Sequence, residues 1–168
     1  VLRGLQQLQI LSLSSCNLRQ LCPELGLQLP RLKTLSLECN QLEHIPESLC
    51  RVTTLMRLTL RGNRLKHLPN RLGDLHRLNA LQLDSNELET LPDSLPHATA
   101  LRILSLSHNR LTQLGGSTDV DTLWDWGNML SLERLKLDDN ALVDSAIMPG
   151  LERLPRLQDL SLSFNRLC

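Results

Sequence analysis

One eleven-residue pattern returns seven times along the chain, and that return limits its fold more than any other feature. The string LQILSLSSCNL from Leu8 recurs as LKTLSLECNQL from Leu32, LMRLTLRGNRL from Leu55 and LNALQLDSNEL from Leu78. It returns again as LRILSLSHNRL from Leu101, LERLKLDDNAL from Leu132 and LQDLSLSFNRL from Leu157, at steps of 24, 23, 23, 23, 31 and 25 residues. A unit this short cannot bury its own apolar side chains, so stability must come from stacking neighbours into an array. Composition follows the pattern: 45 of 168 residues are Leu, against one Phe, two Trp and no Tyr.

The local physics of each copy is that of a short strand followed by a turn. Leu58 and Leu60 stand two residues apart and point to one face, while Arg57, Thr59 and Arg61 point to the other. One face is core and the other is open. Asn40, Asn63, Asn86, Asn109, Asn140 and Asn165 follow each strand, where the chain turns, and their amides are suited to bond the backbone groups that the turn frees. A stacked Asn ladder is expected. Pro46, Pro69 and Pro92 deny a donor just after the turn, so the return limb should be extended or a short helical turn rather than a second sheet.

These copies resemble the leucine-rich repeat family, whose signature is LxxLxLxx(N/C)xL, with Cys16 at the N-or-C place of the first copy. The resemblance implies an α/β solenoid: a curved array of about seven repeats over residues 1–168, with a parallel β-sheet on the concave face and short helical or extended segments on the convex face. IPESL, LPNRL and LPDSL in three copies resemble the intracellular 23-residue class of Ras-linked and cell-polarity scaffold proteins, which implies a cytoplasmic location. Cys-clustered caps, usual in secreted members, stand at neither end, so a longer parent chain with further repeats or domains at both ends is expected.

Charge and cysteine usage narrow the function. Eighteen basic and 18 acidic residues cancel, which disfavours a phosphate-gripping, nucleic-acid-binding role. No apolar run approaches the roughly 20 residues of a membrane span, so no direct membrane insertion is expected. Cys16, Cys22, Cys39, Cys50 and Cys168 form no CxxC pair and sit among Leu positions, as buried or half-buried thiols of a reducing compartment would. No Asn begins an Asn-x-Ser/Thr acceptor.

The step of 31 holds an insertion at 115–127, within the fifth repeat, containing both tryptophans. Gly115 and Gly116 loosen its entry, Ser117 to Asp119 offer caps, and Gly127 offers a stop, so a short helix is expected there. Trp124 and Trp126 either cover extra apolar surface or anchor a partner, since Trp is enriched at interface hot spots.

The candidate concave binding residues are Arg57, Thr59, Arg61, Gln82, Asp84, Ser105, His108, Lys136, Asp138 and Phe164. Residues 51–80 hold seven Lys/Arg against Asp74 alone, whereas 119–144 hold seven acids against Arg134 and Lys136, so these charges either are solvated and keep the solenoid soluble or orient a partner bearing acidic then basic groups on this face. His44 and His67 hold equivalent places and should stack about 5 Å apart, but no third ligand completes a metal site. His108 beside Ser107 lacks a buried acid to orient it, and no GxSxG, phosphate-cradling loop or HExxH is present, so neither catalysis nor a cofactor is expected. The reading is a non-catalytic protein-interaction scaffold. A regulatory or sensing domain of a larger signalling enzyme or receptor, and a structural subunit of a cytoskeletal or ciliary assembly, are the alternatives.

Overall fold

In the computed structural model, residues 4–114, 126–144 and 151–167 are described. Seven three-residue strands carry the repeats: β1 Ile10–Ser12, β2 Thr34–Ser36, β3 Arg57–Thr59, β4 Ala80–Gln82, β5 Ile103–Ser105, β6 Arg134–Lys136 and β7 Asp159–Ser161. They form one parallel sheet in chain order. The register places Leu11, Leu35, Leu58, Leu81, Leu104, Leu135 and Leu160 side by side. The central five are 0% exposed. A parallel sheet whose strands all return on one side, without closing, is the curved solenoid expected from the repeat.

The strands are short because the backbone leaves the β region at a fixed place. Ser15, Cys39, Gly62, Ser85, His108, Asp139 and Phe164 all have φ between 51° and 68°, and Gly62 alone among them is glycine. The left-handed conformation costs an L-residue roughly 1–2 kcal/mol. The amides of the first six offset it by donating to the next copy, as in Cys39 N–H to Arg61 O at 2.8 Å and His108 N–H to Asp138 O at 2.8 Å.

The outer side consists of single turns. A one-turn helix, α1, spans Leu25–Gln28, and 3-10 turns span Glu47–Arg51, Leu72–Asp74, Leu95–His97, Trp126–Asn128 and Leu151–Arg153. Leu49, Leu72, Leu95 and Trp126 each stand six residues before the next copy begins, and each is buried. Trp126 therefore holds the place of a core leucine, and the regular coil has resumed by that residue. Gly127 sits inside the turn at Trp126–Asn128 instead of ending a helix, and the rest of the expected insertion helix, residues 115–125 with Trp124, lies outside the described residues.

Successive outer turns approach so closely at two places that no side chain fits between them. A Cβ on Gly26 would lie 1.8 Å from the Ser48 carbonyl oxygen, and one on Gly73 would lie 1.8 Å from that of Ser94. Both steps are closed by a bond from the glycine amide to the serine hydroxyl, at 3.3 Å for Gly26 and 3.1 Å for Gly73.

One continuous core runs through the stack. Each fully buried Leu contributes on the order of 1.5–3 kcal/mol relative to exposure. Leu8, Leu11 and Leu13 in the first copy are only partly buried, and Leu160 in the last is 43% exposed, because each has a neighbour on one side alone. The cysteines correct the sequence expectation: Cys50 is buried, but Cys16, Cys22 and Cys39 are exposed free thiols.

Candidate protein-binding face

The Asn ladder is the scaffold of the open face. Asn63 accepts from the Leu42 amide at 3.0 Å and donates to the Leu37 and Leu60 carbonyls, both at 2.9 Å. Asn86 accepts from Leu65 at 3.1 Å and donates to Leu60 and Leu83 at 3.0 and 2.9 Å. Asn40, Asn109, Asn140 and Asn165 repeat the arrangement. Leu60 O thus accepts from both Asn63 and Asn86, and Leu83 O from both Asn86 and Asn109. The ladder runs amide to carbonyl to amide, and its amides do not bond one another. It fixes strand spacing, and these six residues are structural, as expected.

On this frame the side chains opposite the leucines form three rows crossing the strands. The middle row is Ser12, Ser36, Thr59, Gln82, Ser105, Lys136 and Ser161. Its flanking rows include Thr34, Arg57, Ala80, Ile103, Arg134 and Asp159 on one side, and Glu38, Arg61, Asp84, Ser107 and Asp138 on the other. Arg57 and Arg61 are exposed, and Gln82 and Lys136 are half-buried. Thr59 is only 5% exposed, and its buried hydroxyl has no hydrogen-bond partner among the described residues. Phe164 is 82% exposed at the far edge.

Two acids of this face, Asp84 and Asp138, are engaged within the molecule. Asp84 Oδ1 accepts from the Ser105 hydroxyl at 2.5 Å and the Ser107 amide at 3.1 Å. Asp138 accepts from the Ser161 hydroxyl at 2.5 Å, the Ser163 amide at 2.9 Å and the Ser107 hydroxyl at 3.3 Å. Burial alone would push the Asp138 carboxyl up, but the donors from Ser161, Ser163 and Ser107 outweigh it and hold the group below its ordinary 3.8. Each aspartate ties its own coil to the next. The sequence misses this role, although the signal exists: Asp at the seventh place of a copy is followed by Ser at the fifth and seventh places of the next.

An acid does meet His108, but it is an exposed one, not the buried acid whose lack the sequence reading noted. His108 Nδ1 lies 2.7 Å from Asp139 Oδ2, both side chains being about 60% exposed. The Ser107 hydroxyl turns instead to Asp138, so the three groups do not align as a nucleophile relay. His44 and His67 are both exposed, and among the described residues no group of three or more His, Cys, Asp or Glu could hold a metal ion. Trp126 is 1% exposed and belongs to the core, which corrects its reading as a partner anchor.

The pattern read in the coordinates is matched by family comparison: the leucine rich repeat pattern fits residues 6–65, 53–111 and 100–123. The chain belongs to the leucine-rich repeat family. Among solved structures it is similar to the leucine-rich repeat ectodomain of the plant membrane receptor kinase GASSHO1/SCHENGEN3 from Arabidopsis thaliana, crystallised in complex with CASPARIAN STRIP INTEGRITY FACTOR 2. The identity is 30% and the TM-score 0.78, over 96% of this chain and 19% of that one. A leucine-rich repeat protein of Leptospira interrogans is 30% identical with a TM-score of 0.74, over 97% of this chain and 45% of that one. An internalin of Listeria monocytogenes, at 22% identity and a TM-score of 0.63 over 99% of this chain and 58% of that one, shares the fold. The chain thus spans between about a fifth and three-fifths of these leucine-rich repeat proteins. Curated protein sequences yield no match. Leucine-rich repeats commonly serve protein recognition, and the fold is typically non-enzymatic. Among the described residues no helix is long and apolar enough to cross a membrane.

Proposed function

We propose that this leucine-rich repeat array is a cytoplasmic, non-catalytic scaffold that binds a protein partner on its concave face. The carrying observation is the contrast between the two sides of the sheet: leucines 0% exposed beneath, and above them rows of polar side chains fixed in register by the Asn ladder. A surface of this kind offers hydrogen bonds and charges at set spacings without reorganising, which lowers the cost of association. The free thiols among the described cysteines and the lack of an Asn-x-Ser/Thr acceptor support the cytoplasmic assignment.

Arg57→Glu with Arg61→Glu tests the face, because both residues are exposed. The double variant is expected to lose partner capture in a pull-down while its melting temperature stays within about 2 °C, as surface substitutions normally do. Capture that persists would remove this face from the site. A second reading, a sensing segment of a larger signalling protein, is favoured by the similarity to part of a receptor kinase ectodomain; kinase or other catalytic sequence in the parent chain would support it.

A further inference from the structure

Sequence reading assigns the face a basic half and an acidic half, but the two halves are not equally available. Asp84 and Asp138 are held by serines, Asp139 stands against His108, and Arg134 is paired with Asp159 at 3.3 Å. The side chains of Arg57, Arg61 and Lys136 carry no hydrogen bond or ion pair among the described residues. Glu38, next to Arg61 in its row, is the acid that could compete, and it makes no ion pair either. Between Arg57 and Arg61 lies Thr59, whose buried hydroxyl is unpartnered.

Resting on the concave-face reading above, we infer that the partner presents an extended acidic segment that crosses the strands from β3 to β6. One carboxylate lies between the Arg57 and Arg61 guanidinium groups, and a second meets Lys136. Thr59 and Lys136 hold the same register three strands apart. At a strand spacing of about 4.8 Å that is about 14 Å, which an extended chain covers in about four residues. Ala80 beside Arg57 and Ser105 beside Lys136 are short side chains that leave the path open. Guanidinium groups suit this task because their planar fork bonds a carboxylate through two donors at once.

The test uses the isotope-labelled protein and short synthetic Gly/Ser peptides carrying two glutamates about four residues apart, alongside glutamine and phosphoserine counterparts, followed by NMR titration. The glutamate peptide is expected to shift the amides of Thr59, Gln82 and Lys136 saturably, to bind about tenfold or more tighter than the glutamine peptide, and to weaken in high salt. Arg57→Gln with Arg61→Gln should abolish the shifts, and Glu38→Gln should strengthen binding. Equal binding of the glutamate and glutamine peptides on these amides would overturn the acidic inference while leaving concave recognition standing. Shifts confined to another surface, or none, would also overturn it, and the pull-down would then decide separately whether the face binds protein at all. A phosphoserine peptide that binds while the glutamate peptide does not would replace the carboxylate with a phosphate.

Discussion

Removing Asn86 isolates what the ladder contributes. Asn86→Ala deletes one accepted bond, from the Leu65 amide at 3.1 Å, two short donated ones, to Leu60 O at 3.0 Å and Leu83 O at 2.9 Å, and a long contact to Asp84 O at 3.4 Å. The two carbonyls each keep a second donor, from Asn63 and Asn109, so their loss is about 1 kcal/mol apiece. The Leu65 amide is left buried with no acceptor, at about 1–3 kcal/mol. The expected destabilisation is about 3–5 kcal/mol, large against the roughly 5–15 kcal/mol typical of a domain. Asn165→Ala is the internal control: Asn165 is only part-buried, in the last copy with a neighbour on one side alone, so water replaces its bonds more readily and a cost of about 1 kcal/mol is expected. Urea unfolding followed by circular dichroism gives the two totals, and hydrogen exchange gives the location. In Asn86→Ala the Leu65 amide should lose protection first, while Leu88, which donates to Asn109, keeps more of its own. A cost below about 1 kcal/mol for Asn86→Ala, or equal costs at both positions, would refute the ladder as the source of stability.

Gly73→Ala should destabilise by about 1–3 kcal/mol or more, since its Cβ would meet the Ser94 carbonyl, whereas Gly62→Ala, with ordinary contacts but a φ of 68°, should cost only about 1–2 kcal/mol. Thermal denaturation of the two variants ranks them; the reverse order would show that the outer turns separate easily. Because the Asp138 carboxyl is held below its ordinary 3.8, it stabilises the fold above that pH and the contribution fades as pH falls through and below it. Asp138→Asn should therefore lower stability at neutral pH, and the gap to the unaltered protein should close on acidification; a gap that widens in acid would sink the assignment. Burial, with Glu47 and Asp74 adding to it, pushes the Cys50 thiol up to about 12, so iodoacetamide at neutral pH should modify Cys16, Cys22 and Cys39 in the folded protein and reach Cys50 only on unfolding. Mass spectrometry of the labelled peptides distinguishes the sites, and early labelling of Cys50 would contradict its burial.

The period alone determined the architecture. Steps of 23 to 25 residues, broken once by 31, with Leu at set places leave stacking as the only way to bury them, so strands, register, core and Asn ladder all follow from spacing. Trp126 was legible too, by counting six residues back from Leu132, but its neighbours in the insertion drew it away from that register. Tertiary structure alone decided which polar groups are spoken for. Whether Asp84 is offered to a partner or spent on Ser105 depends on a residue in the next coil, and periodicity places that residue nearby without orienting its hydroxyl. The same holds for Gly26 and Gly73, which sequence presents as flexible and the stack requires as small, and for Thr59, whose stranded hydroxyl exists only because neighbouring coils cover it. Apolar burial is additive and non-directional, so a one-dimensional pattern encodes it; hydrogen bonds are directional and exclusive, and their pairing is settled only in three dimensions.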